Sequence, residues 1–182
     1  LQGVKAVSTQ WHDNYFENAI FRDIDLRGAQ INQAVIANAI FEGSKTSYSI
    51  FHDVKLENAQ FAGDFFSTIM SNCSIDGINA KNSNFERFAF QKCSLRAGDF
   101  SGVSLKEVSF LESNLTEVDI TKSIIERVLF HTIDFSNRNF SGINVKMSQF
   151  LECDFSESIL DHADMAGCGF LKCNLEFAVL SD

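Results

Sequence analysis

The chain contains no proline. At an average usage of about 5 %, roughly nine would be expected in a protein of 182 residues. Proline cannot donate to a hydrogen-bond ladder, so its absence suits uninterrupted strand pairing. Polar aromatics are nearly missing as well, with two Tyr and one Trp against 19 Phe. The core therefore calls for large rings without a polar handle. No run approaches the roughly 18 apolar residues of a membrane span, and no signal peptide is visible. Positive charge is scarce, 15 Lys and Arg against 24 Asp and Glu, for a net charge of −9. That balance argues against a phosphate-binding nucleic-acid surface and against docking on an anionic membrane. The five cysteines form no CxxC pair. An odd set of this kind fits free thiols in a reducing, cytoplasmic setting better than a disulfide framework.

What the chain does have is a period of five. From Met70 to Leu180 every fifth residue is apolar, through Phe85, Phe90, Leu95, Phe100 and onward. Upstream the same spacing runs from Phe16 to Phe66, with Thr46 the single polar member. Two residues before each centre the side chain is usually small or β-branched, and the residue between favours Asp, Asn or Ser. Examples are Cys153-Asp154-Phe155 and Ala163-Asp164-Met165. Helices repeat at 3.6 residues and strands at 2, so neither alone accounts for this spacing. Short β-like segments joined by tight turns do.

This pattern resembles the pentapeptide-repeat family, with its A-[DN]-[LF]-x-x motif, over about residues 14 to 182. The resemblance implies an all-β, right-handed, quadrilateral parallel β-helix of about eight coils, with four pentapeptides and 20 residues per coil. Residues 1–10 would be an N-terminal flank or cap and residues 11–182 the β-helix, with a register slip near residues 61–70. Coils stacked about 4.8 Å apart would align Phe90, Phe110, Phe130, Phe150 and Phe170 in one column below Met70. The chain begins at Leu1 and ends within a repeat, which suggests a piece of a longer protein. It also suggests that a dimer contact or a neighbouring domain covers an open C-terminal coil.

Three inward positions look wrong for packing. Arg138 would bury a charge beside Val118 and Ser158, which is costly, and its corner is expected to bulge so that it escapes outward. Phe88 is oversized for its slot. Asp64 belongs to the slip itself, where either Phe65 or Phe66 continues the frame.

Catalytic chemistry finds little support. Cys73, Cys93, Cys153 and Cys173 share one column, but a straight column cannot converge four ligands on a zinc ion. They read as small apolar filler. His12, His52, His131 and His162 occupy outward positions without a partner nucleophile or second ligand. No phosphate loop or hydrolase motif is present. No catalytic, cofactor-binding or metal residues are assigned, and the chain alone is read as a non-enzyme that needs no cofactor.

Two surface features remain. Leu111, Leu151 and Leu171, with Leu129 nearby, align on one side and form a candidate contact patch. Glu152, Asp154, Glu157, Asp161 and Asp164 make the C-terminal third acidic. The first feature favours a rigid protein-protein interaction scaffold for an unidentified partner. It would be a module of a larger bacterial, effector-like protein that is cytoplasmic or delivered into a host cytosol. The second leaves an alternative that the family resemblance implies, a DNA mimic acting on DNA gyrase or topoisomerase IV, the type II topoisomerases. Against it, Lys81, Arg87, Lys92, Arg96 and Lys106 interrupt the negative field, and a C-terminal dimerising helix and protruding loops are absent from the sequence.

Overall fold

The computed structural model describes residues 1–181; Asp182, counted above among the acids, lies outside them. The five-residue period becomes a coil of four sides, and the coils stack into a solenoid of about eight turns. Each side places its centre inward together with the residue two before it, at the preceding corner. The flanking residues point out. We number the sides by one coil: the first centres on Phe110, the second on Leu115, the third on Ile120 and the fourth on Ile125, all buried. Residues 1–10 follow the same coil pattern and pair with the next coil through Gln2 with Arg22 and Lys5 with Asp25.

All pairing is parallel. The first side forms a nine-stranded sheet running from Gln10–His12 to Gly169–Leu171. Before the slip, the opposite third side carries a three-stranded sheet, Ile20–Arg22, Ile40–Glu42 and Gln60–Ala62. After the slip, a five-stranded sheet from Asp64–Phe66 to Val145–Lys146 occupies the fourth side, adjacent to the first.

Corners explain the switch. A corner is closed when the centre's carbonyl accepts the N–H three residues on, as between Phe16 and Ala19 or Leu26 and Ala29. A closed corner folds the residue after the centre into a turn, whereas an open corner leaves it extended in the ladder. Upstream, alternate corners are closed. Downstream, two consecutive corners close, such as Ile75 to Ile78 and Ala80 to Ser83, so the extended sides become neighbours. The change comes from one missing residue. Gln10 pairs with Gln30 and Asp64 with Asn84, but across the slip Ile50 pairs with Ile69. Gly63 takes φ 131° there, a conformation open to glycine and hardly to other residues.

The slip also settles the ambiguous frame. Phe65 is the inward centre at 1 % exposure, and Phe66 lies half-buried outside under the Arg87 guanidinium, 4.9 Å from its ring. Asp64 is exposed and accepts a hydrogen bond from Asn84 at 2.6 Å. Phe88 is fully buried, edge-on to Phe85 at 5.1 Å.

Rings dominate the core. Phe90, Phe110, Phe130, Phe150 and Phe170 stack with centroids 4.8–5.4 Å apart. Each fully buried ring contributes roughly 1.5–3 kcal/mol, with more from ring-ring geometry. The last coil has nothing stacked on it among the described residues, and Phe170, Leu175 and Leu180 are exposed.

Among the described residues, the one two after each centre adopts positive φ at every corner except Lys122. Glycine and asparagine hold some of these positions, but Lys92, Glu112, Glu152 and many other larger residues hold the rest. The Arg138 corner departs from expectation in one respect. The corner opens, since the Arg138 N–H does not bond the Phe135 carbonyl, but the side chain is not released outward. The guanidinium stays at the corner, donating to the Leu115 carbonyl at 3.0 Å and to the Val118 carbonyl. It also lies over the Phe140 ring at 4.9 Å. These acceptors and the ring compensate its partial burial, so escape is unnecessary.

Candidate protein-interaction face

The first side is assembled from nine three-residue strands, and its outward positions are the first and third residue of each. None of these positions carries Lys, Arg, Asp or Glu. Register places Leu111 beside His131, His131 beside Leu151, and Leu151 beside Leu171. Leu129 flanks His131 on its own strand. The four leucines expected to form a patch are thus brought together, with Leu171 60 % exposed and the other three half-buried. Ile50 and Ile69, paired with each other, add exposed apolar surface farther up the same side. They went unread because they sit on the other outward column, 19 residues apart across the slip, so a count by columns of 20 passes over the pair.

Charge returns at the edges of this side. At the corner toward the second side stand Asp13, Asp53, Lys92, Glu112, Glu152 and Lys172. Lys92 approaches Glu112 at 3.7 Å, and Lys172 approaches Glu152 at 3.2 Å. His12 and His52 contact Asp13 and Asp53, and His131 lies 3.8 Å from Glu152. The result is an uncharged, flat strip rimmed by paired charges.

The five C-terminal acids do not converge. Glu152 stands at the corner after the first side, Asp154 on the second side and Glu157 at the next corner, while Asp161 and Asp164 lie on the third and fourth sides. They form a belt around the rod. Several are engaged locally: Asp154 accepts the Ser156 N–H at 2.8 Å, and Asp164 that of Ala166 at 3.2 Å. Asp161 accepts the Ser181 hydroxyl at 2.8 Å. The Ser156 amide holds the Asp154 carboxyl below its ordinary range.

The cysteine column is interior. Cys73, Cys93 and Cys153 are buried, and Cys173 is half-buried. Each thiol reaches a carbonyl of the coil before it, as Cys93 does with Met70 at 3.4 Å. Contact with Cys93 and burial push the Cys73 thiol far above the ordinary range, and burial pushes Cys153 up to about 11. Protonated thiols of this kind are poor nucleophiles and ligands. Among the described residues no cluster of three or more His, Cys, Asp or Glu side chains is placed to hold a metal, and no helix is long and apolar enough to cross a membrane.

Among curated proteins, none is significantly similar to this chain. Two solved structures illustrate the likenesses found. HetL of the cyanobacterium Nostoc, a pentapeptide repeat protein involved in heterocyst differentiation regulation, is 17 % identical with a TM-score of 0.40. The match covers 99 % of this chain and 90 % of HetL. Full-length QnrB1, a plasmid-mediated fluoroquinolone resistance protein, is 12 % identical with a TM-score of 0.43, covering 94 % of this chain and 93 % of QnrB1. The family model for the pentapeptide repeat region matches residues 49–120, and that for pentapeptide repeats (8 copies) matches residues 148–182. Together with the four-sided parallel coil, these matches assign the chain to the pentapeptide-repeat family.

Proposed function

We propose that this protein is a non-enzymatic scaffold that binds a protein partner through its first side. The observation that carries this reading is a nine-stranded sheet surface without a charged residue on a molecule of net charge −9. Charged residues cost desolvation at the centre of an interface and are depleted there, whereas rims are polar. A strip of leucine, isoleucine and amide side chains between charged corners has that anatomy. Flat apolar sheet surface is also unusual on a solenoid whose other outward positions are free to be charged.

DNA mimicry of a type II topoisomerase ligand is the second reading, and only the acidic belt favours it. A mimic would present carboxylates along one continuous face, whereas here they circle the rod and Glu152 is paired with Lys172.

A photo-crosslinking residue placed at Leu111, Leu151 or Leu171, compared with Arg22, Ser101 and Glu126 on other sides, tests the scaffold reading in cells. One common adduct from first-side positions only is expected. Adducts spread evenly over all the sides probed would defeat it.

A further inference from the structure

The solenoid is held together by backbone hydrogen bonds between coils, and at one place that ladder is missing. Between residues 133–142 and 153–162, six backbone hydrogen bonds link the second and third sides of adjacent coils. They include Phe135 N–H to Asp154, Asn137 N–H to Ser156 and Phe140 N–H to Ile159. Between residues 113–122 and 133–142, the same two sides one coil earlier, there are none among the described residues. The regular bridges show the same gap. Asp99 pairs with Asp119 and Asp134 with Asp154, but neither Asn114 with Asp134 nor Asp119 with Asn139 is paired.

Three further observations locate the cause. The corner from Phe135 to Arg138 lacks its closing hydrogen bond. Lys122, facing the gap, is the one corner among the described residues outside the left-handed region. The Arg138 guanidinium itself crosses the gap, bonding the Leu115 and Val118 carbonyls in place of the backbone. In the same column the neighbouring coils carry Val118 and Ser158. Around Ser158 the ladder is complete. Above Val118 it holds on the second side, from Leu95 to Asn114 and Ala97 to Thr116, while on the third side only the Asp99–Asp119 bridge remains. An open groove of about 410 Å³, lined by Glu117, Asp119, Arg138 and Ser141 among others, runs along the separation.

The first side stays closed, and the fourth stays paired over Ile125 and Glu126, next to the first. Ser109–Leu111 pairs with Leu129–His131 on the first side, and Ile125 pairs with Val145 on the fourth. Even there the ring column widens slightly, with Phe110 and Phe130 5.4 Å apart against 5.1 Å in the coil on either side.

We infer that Arg138 is a wedge that holds open a hydrated seam across the second and third sides, and that this seam is a hinge in the rod. The closed corner between the fourth and first sides is the pivot, diagonally opposite Arg138. Opening the seam curves the rod toward that pivot and brings the first side onto the concave face. Backbone groups left without ladder partners are satisfied by water, so flexing at the seam breaks no backbone hydrogen bond between coils on those two sides, only the two made by the Arg138 guanidinium. Elsewhere in the rod the same bend would break several at once. This inference does not depend on the docking role of the first side.

Amide hydrogen exchange on the whole chain tests it. In the unaltered protein the amides of Leu115, Glu117 and Ile120 are expected to exchange at least 100-fold faster than those of Phe135, Asn137 and Phe140. Arg138→Ala, and Arg138→Val, which repeats the valine found at Val118 one coil earlier, are expected to slow the first set at least tenfold and raise the unfolding temperature. Equal protection of the two sets in the unaltered protein would mean that no seam exists. Fast exchange that persists in both variants, or variants that fail to fold by circular dichroism, would show that Arg138 clamps the coils and does not part them.

Discussion

After the slip, the first and fourth sides are built alike, as adjacent parallel sheets of short strands, yet their outer surfaces are opposites. The fourth side is laced with charge. Glu86, Lys106, Glu126 and Lys146 alternate down one column, and Glu107 sits between Arg87 and Arg127, 3.3 Å from each. Its Arg and Glu side chains pair with one another both within and across coils. The first side has none to spend. Because the backbone is the same, the fold does not dictate the difference. A β-helix side needs only its inward residues for stability, so the outward residues record what each surface faces: water on the fourth side and, on our reading, a partner on the first.

The largest expected effect separates inside from outside on the first side. Phe110→Asp places an unpaired carboxylate in the ring column, where the lost ring and the buried charge together cost at least about 4 kcal/mol. The rod should not fold, by circular dichroism. Leu111→Asp, one residue along and facing out, should keep the native spectrum and unfolding temperature while weakening the crosslinked partner contact. Equal stability of the two variants would invert the assignment of faces.

A smaller effect probes acid sensitivity. Asp99 and Asp119 accept from the Ser101 and Thr121 hydroxyls and amides, and these donors hold both carboxyls below their ordinary range. The Arg27 guanidinium lowers Asp25 to about 2. Carboxyls lowered in the folded state stabilise it above their unfolded pKa of about 3.9. That contribution disappears as pH falls through the folded values. The unfolding midpoint should therefore be flat from pH 7 to about 5 and fall below about 4. Asp99→Asn and Asp119→Asn retain the acceptor oxygen and should flatten that fall.

The smallest effect belongs to the fourth side. Glu107→Gln removes the shared partner of Arg87 and Arg127, both well exposed. Exposed pairs are worth about 0.2–1 kcal/mol each, so a modest drop in unfolding temperature is expected at low salt and none at 1 M salt. A drop that survives high salt would mean that packing, not charge, binds this side.

Much of this architecture could be read from the sequence because an inward column tolerates so few residue types. The period of five, the ring column and the alignment of Leu111, Leu151 and Leu171 all follow from counting. Other features could not be read so directly. Phe65 and Phe66 are chemically identical, and only the backbone at Gly63 decides which turns inward. Arg138 violates the pattern, but the pattern does not say whether the side chain or the ladder gives way. The acidic residues look clustered in sequence because Glu152 to Asp164 are close along the chain. A coil needs 20 residues to return to the same side, so sequence neighbours of this kind are dispersed in space. The uncharged first side was legible but overlooked, since it appears only when outward residues are read down the columns.

The left-handed corners set a limit on how such a rod can diversify. The corner is the most outward point of every pentapeptide, and so the natural place for a recognition residue. It is also the one place where any side chain other than glycine, or less so asparagine, is conformationally disfavoured by roughly 1 kcal/mol. Surface identity and foldability therefore compete residue by residue at the corners. On the flat sides between them they do not. A lineage exploring new partners would change its flat sides at no backbone cost, whereas the many charged and bulky corners here, Lys92, Glu112 and Glu152 among them, each carry the penalty.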